Sequence, residues 1–241
     1  MQAGARAGNG GRAVGLYSVA GRAATAFGEF LTCAKKAYAA PGFPQGKATM
    51  SLAERVRVEE EKLLSDQWAV LKTTRFAWRR RDGRWQTQWR ETYDRGNGAA
   101  ILLYDPARRS VVLTRQFRYP CYVNGLDALM IEVPAGVLDA ASPEECIRAE
   151  AEQEAGYRVR APRKVFEVFM SPGSVTERLH LFVAQYDATD RIGDGGGLHE
   201  EGEDIEVFET GLDEALAMVA RGEIVDAKTI LLLQWAALQR W

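Results

Sequence analysis

From about residue 57 onward, apolar positions recur along this chain with strand and helix periods. Gln67–Arg80 and Arg84–Asp94 carry Trp68, Phe76, Trp78, Trp85 and Trp89 on either side of Arg81-Asp82-Gly83, and this pattern predicts a β-hairpin. Ala99–Tyr104 and Ser110–Arg118 flank a turn sequence at 105–109. Their runs AAILLY and VVL are continuous rather than alternating, as expected of strands covered on both faces. Ala128–Val133 reads as a further short strand. Pro143–Ala155 reads as a helix: Ser142 is a suitable N-cap, Pro143 suits the first position, Glu144 and Glu145 complement the positive end, and Gly156 stops it. Lys164–Met170, Arg178–Tyr186 and Asp204–Phe208 read as strands, the second with Leu179, Leu181 and Val183 on one face. Leu212–Ala220 and Lys228–Trp241 read as helices.

Strands, one helix, more strands and two helices predict an α+β fold, a mixed sheet with helices on both faces. Residues 188–202 contain GDGGGLHEEG and read as a mobile, glycine-rich acidic loop. Residues 1–49 lack periodic apolar positions and read as disordered. Three accounts of that segment stay open: an upstream start with Met50 as the true one, an organellar transit peptide, and a tail with its own function.

Charge separates the two parts. Residues 1–49 hold six Lys or Arg and one acid, a balance of +5; the whole chain is −2, which leaves −7 for the rest. An acidic body without a basic stripe argues against nucleic-acid binding. No apolar run approaches a membrane span, so neither partner is expected. Three cysteines without a CxxC pair indicate neither a zinc knuckle nor a disulfide framework, and they suit the cytoplasm. Two histidines leave little material for a histidine-rich metal site.

The chemistry concentrates in AGVLDAASPEECIRAEAEQEAGY, residues 135–157. Glu150 and Glu154 stand one turn apart on one helix face, where they would repel each other. A solvated acidic face is one reading. A divalent cation between them is the other, and oxygen-only ligands suit magnesium, with manganese as the alternative.

This segment resembles the Nudix box, G-x5-E-x7-R-E-U-x-E-E-x-G-U, where U is apolar. YDRGNGAAILLY (93–104), RQFR (115–118), MSPGSVTERLHLFVAQY (170–186), EDIEV (203–207) and GEIVDAKTILLL (222–233) extend the likeness. From about Glu60 to Trp241 the chain is similar to the GDP-mannose pyrophosphatase group of Nudix hydrolases, in the wider ADP-sugar pyrophosphatase branch. Four positions depart from the box. Ala149 replaces a basic residue, Glu152 an apolar one and Gln153 the first member of the Glu-Glu pair, and Ala141 stands near the early glutamate. An amide ligates through oxygen but cancels no charge, so Gln153 bears on how many cations bind.

The resemblance implies a Nudix fold, an α/β/α sandwich at 97–241. It also implies an N-terminal β-hairpin and dimerisation region at 57–96, with 1–56 as a disordered extension. It implies Mg2+ (or Mn2+) held by Glu150, Glu154, Glu203 and the Ala135 carbonyl, with Glu203 rather than Glu200 or Glu201 as the distant ligand. Glu150, Glu154 and Glu203 are thereby the catalytic set. For substrate, it implies Trp68 stacking on the base, Arg90 and Glu91 at base or sugar, Arg118 at the diphosphate, and Glu177 and Lys228 towards the sugar phosphate. Trp89 replaces a basic residue near the base. Trp68 as a core aromatic and Arg90 as an exposed strand residue remain alternatives. The implied reaction is hydrolysis of GDP-mannose to GMP and mannose 1-phosphate by a homodimer. ADP-ribose or an ADP-sugar is the rival substrate, and a weakened domain that only binds nucleotide sugars is the rival of another class.

Overall fold

A computed structural model describes residues 51–138 and 142–239. The expectations for residues 1–49 lie outside the described residues, but the extension expected to reach residue 56 is corrected: Leu52–Arg55 is helical and Val56 opens a strand. After one helical turn, α1 (Leu52–Arg55), a three-stranded antiparallel sheet forms from β1 (Val56–Asp66), β2 (Val70–Arg79) and β3 (Trp85–Asp94) in that order. The hairpin β2–β3 stands where its turn signal put it. Strand β1 was not anticipated. Its sequence, VRVEEEKLLSD, carries an acidic run, and nearly all of it is exposed, so burial left no alternation to read. Backbone pairing to β2 makes it a strand, assisted by Glu61–Lys72 at 2.9 Å and by Arg57 over the Trp85 ring at 4.0 Å.

The second sheet is mixed. Its strands are β4 (Gly98–Asp105), β5 (Ser110–Gln116), β6 (Met130–Glu132), β7 (Ala135–Val137), β8 (Arg163–Phe169), β9 (Arg178–Gln185) and β10 (Glu206–Gly211), with the main path β10-β5-β4-β9-β8. Only β4 and β9 run parallel. Strands β4 and β5 pair with each other only over Leu103–Asp105 and Ser110–Val112, then splay. The short strands fill the gap, β6 beside Thr114–Gln116 and β7 beside Gly98–Ala100. This wedge puts the Glu132–Val137 segment in the middle of the sheet.

Helices cover both faces. Besides the short α2 (Tyr119–Val123), these are α3 (Pro143–Ala155), α4 (Leu212–Arg221) and α5 (Ala227–Ala237). Ala99, Ile101 and Leu103 of β4 pack with Ile147, Ala151 and Ala155 of α3. Ala100 and Leu102 pack on the other side with Leu212, Leu232 and Leu233 of α4 and α5. The continuous run AAILLY is thus apolar because both its faces are covered. The expected helix from Lys228 begins one residue earlier and ends at Ala237, and residues 240–241 lie outside the described set.

Local chemistry sets the bounds of α3. The Ser142 hydroxyl accepts from the Glu145 amide at 3.2 Å, and the Glu145 carboxylate accepts from the Ser142 amide at 2.9 Å. This reciprocal cap satisfies two of the free donors at a helix start. Gly156 ends the helix with φ +75°.

Candidate active site

The wedge of β6 and β7 and the helix α3 together bring the carboxylates into one place. The Ala135 amide donates to Glu154 Oε2 at 2.8 Å, which joins the β7 strand to the last turn of α3. Glu150, one turn earlier, lies over Gly136. A Cβ at Gly136 would stand 1.8 Å from Glu150 Oε1, so only glycine allows this approach.

Glu154 is 1% exposed. Burial pushes its carboxyl up to about 8, and the nearby charges of Glu150 and Glu203 push the same way; the Ala135 amide and Arg118 oppose them. Glu203 arrives from a different part of the chain, after the glycine-rich loop. Its Oε2 accepts from the Leu198 amide at 2.8 Å and so holds the loop in its turn. Gly197 must lack a Cβ there, because one would lie 2.3 Å from the same oxygen.

That loop is not a free excursion. The Gly196 amide donates to the Glu154 carbonyl at 3.0 Å and the Gly197 amide to the Gln153 carbonyl at 3.1 Å. Its glycines allow backbone to pack against the C-terminal end of α3 and satisfy carbonyls that a helix end leaves open. Gln153 is itself exposed.

The donor set fits a hard divalent cation. Its side chains are carboxylates, with no sulfur or imidazole among them. The high proton affinity of Glu154 comes first from its burial, with the neighbouring carboxylates adding to it and Arg118 opposing. Among the described residues, no three His, Cys, Asp or Glu side chains are placed so that together they could hold a metal ion as they stand. Glu154 and Glu203 each commit one oxygen, Oε2, to a backbone amide.

Arg118 reaches the same place. Its charge acts on Glu154, and its Nε donates to Glu132 Oε2 at 2.7 Å. Lys228, at the start of α5, is 9% exposed and lies between Glu132 Oε1 at 2.5 Å and Asp226 Oδ1 at 3.0 Å. Burial alone would lower its pKa, but the two carboxylates raise it above the ordinary 10.5, so it is charged at neutral pH. Glu177 pairs with Arg95 at 3.1 Å and lies beside Gly98, next to β7.

The other substrate candidates stand apart from this cluster. Trp68 is 87% exposed at the β1–β2 turn and is no core aromatic within this chain. Arg90 and Glu91 are exposed on β3, where they line a cleft of about 530 Å³ with Phe169, Ser174 and Thr176. Trp89 beside them is half exposed, with Arg75 5.8 Å from its ring centre. The sequence reading passed over Glu132. The available signal was a single acid inside the apolar run Leu129-Met130-Ile131-Glu132-Val133.

A box-bearing helix on a mixed sheet of this topology defines a class. Residues 94–233 match the NUDIX domain, and residues 55–93 match the GDP-mannose pyrophosphatase NudK N-terminal domain. The chain belongs to the Nudix hydrolase family. It is 51% identical over 191 residues to a GDP-mannose pyrophosphatase of Pectobacterium atrosepticum, covering 79% of this chain and 98% of that protein. A GDP-mannose pyrophosphatase of Cronobacter sakazakii is 51% identical, covering 74% of this chain and 93% of its own length. One from Klebsiella pneumoniae is 49% identical, with 75% and 90% covered.

Proposed function

We propose that this chain hydrolyses the diphosphate bond of a nucleoside diphosphate sugar, with GDP-mannose giving GMP and mannose 1-phosphate. The observation that carries the reading is about half identity over nearly the whole length of relatives bearing that activity in their names. The convergence of Glu150, Glu154 and Glu203 supports the chemistry. Mg2+ is the proposed cofactor, held by those three carboxylates and the Ala135 carbonyl. When bound, it would supply charge neutralisation and activation of a water. Glu203, whose Oε2 accepts from the Leu198 amide, would orient a water or take a proton. Arg118 presents its guanidinium to the diphosphate oxygens. Lys228 and Glu177 stand at the sugar-phosphate side.

Trp68, Arg90 and Glu91 serve a site through a homodimer in this reading, because their sheet is exposed in the single chain. Val58, Leu63 and Trp89 are exposed there, apolar side chains that a second copy of the sheet would cover. No helix among the described residues is long and apolar enough to cross a membrane. Cys121 is a free thiol, which suits work in the cytoplasm.

The test is a panel of GDP- and ADP-sugars with magnesium and product identification. GDP-mannose is expected to turn over fastest, to GMP and mannose 1-phosphate. Faster turnover of ADP-ribose would move the chain to the ADP-sugar branch. Equal, metal-independent rates for the wild type and Glu154→Gln would sink the reading.

A further inference from the structure

Three segments far apart in sequence meet at one buried carboxylate. Glu132 ends β6 and is 4% exposed. It receives two cations, one on each oxygen: Arg118 Nε on Oε2 at 2.7 Å and Lys228 Nζ on Oε1 at 2.5 Å. The network continues outward. Asp226 pairs with Lys228 and caps α5, accepting from the Thr229 amide at 2.9 Å and from its hydroxyl at 2.6 Å. The Thr229 hydroxyl oxygen in turn accepts from the Val133 amide at 2.8 Å, which ties α5 back to the residue after Glu132. Two acids and two bases balance, so the cluster carries no net formal charge.

A buried acid in a short apolar strand needs such partners to be tolerated. Its placement also has a directional consequence. A guanidinium is planar, and a hydrogen bond at Nε fixes the plane while leaving the Nη1 and Nη2 edge for another anion. Among the described residues, Arg118 shows no side-chain hydrogen bond besides that one at Nε. Its charge and that of Glu154 act on each other. The Nη edge is therefore not committed to Glu132.

The geometry points to Glu132 as a positioning residue that aims Arg118 at the substrate diphosphate. This rests on the diphosphate role of Arg118 proposed above. Glu132 does not touch substrate; it acts through Arg118. The diphosphate is already charged when bound, so the loss on removing Glu132 falls mainly on KM and less on kcat.

The test is a double-mutant cycle on kcat/KM with GDP-mannose and magnesium. Arg118→Ala is expected to lower kcat/KM by about 100-fold, and Glu132→Gln by about 10- to 100-fold through misplacement of the guanidinium. In the Arg118→Ala background, Glu132→Gln is expected to cost less than about threefold, because its target is gone. If the double variant instead loses the product of the two single effects, Glu132 supports the fold and the positioning role is overturned. If Arg118→Ala alone leaves kcat/KM unchanged, the diphosphate role of Arg118 falls, and the proposal with it. Should Glu132→Gln not fold, Glu132→Asp keeps the charge, retracts it by one methylene and runs through the same cycle with the same two outcomes.

Discussion

Replacing Glu154 by Gln tests whether burial holds this carboxyl protonated well above its ordinary range. An ordinary glutamate titrates near 4.5, and Glu154 is pushed up to about 8, first by burial and then by Glu150 and Glu203. At about 1.4 kcal/mol per pH unit, that gap of about 3.5 corresponds to about 5 kcal/mol. The sign follows from the direction. The folded chain favours the protonated acid, so this contribution to stability is fully present below pH 4.5 and is lost as pH rises through about 8. Gln mimics the protonated acid, and its amide oxygen still accepts from Ala135. In the presence of a chelator, Glu154→Gln should therefore match wild type near pH 4. It should exceed wild type by about 3 kcal/mol at pH 7 and by about 5 kcal/mol above pH 8. Urea unfolding across this range, read as the midpoint at constant slope, measures the difference. A difference that stays flat with pH, or a variant less stable than wild type at pH 8, would refute the reasoning. The same variant should lose magnesium-dependent turnover, so stability and activity should move in opposite directions.

Gly136→Ala would put a Cβ 1.8 Å from Glu150 Oε1 and displace that carboxylate. Magnesium-dependent kcat should fall by about 100-fold with the circular dichroism spectrum retained. Gly195→Ala combines φ +70° with a Cβ 2.4 Å from the Glu154 carbonyl oxygen, and should cost about 1–3 kcal/mol in chemical unfolding. Ser142→Ala removes the reciprocal cap of α3 and should cost about 1 kcal/mol, with kcat/KM nearly unchanged, since the cap lies at the far end of the helix from Glu154.

Elements whose cause is local were legible in the sequence. The helix α3 spans Pro143–Ala155 as expected, because its cap, its proline and its stop signal act within a few residues. The pair β4 and β5 was legible because burial on both faces writes a continuous apolar run. The hairpin turn was legible from Asp82-Gly83. Strand β1 was not, since a strand held by backbone pairing at an exposed edge needs no apolar alternation. The acidic, glycine-rich loop suggested mobility by composition, yet its glycines serve close packing against α3, which composition cannot express.

The spacing of Glu150 and Glu154 is written in the chain, because 3.6 residues per turn puts them on one face whatever surrounds them. So is the expectation that an acidic body with few histidines and cysteines would offer oxygen ligands. Tertiary structure alone decided that Glu154 is buried enough to hold its proton to about 8, that Glu203 approaches from some 50 residues away, and that Arg118, Glu132 and Lys228 form one network. Charge energies depend on distance and on the exclusion of water, and both are set only when the splayed strands and the helices close over the site.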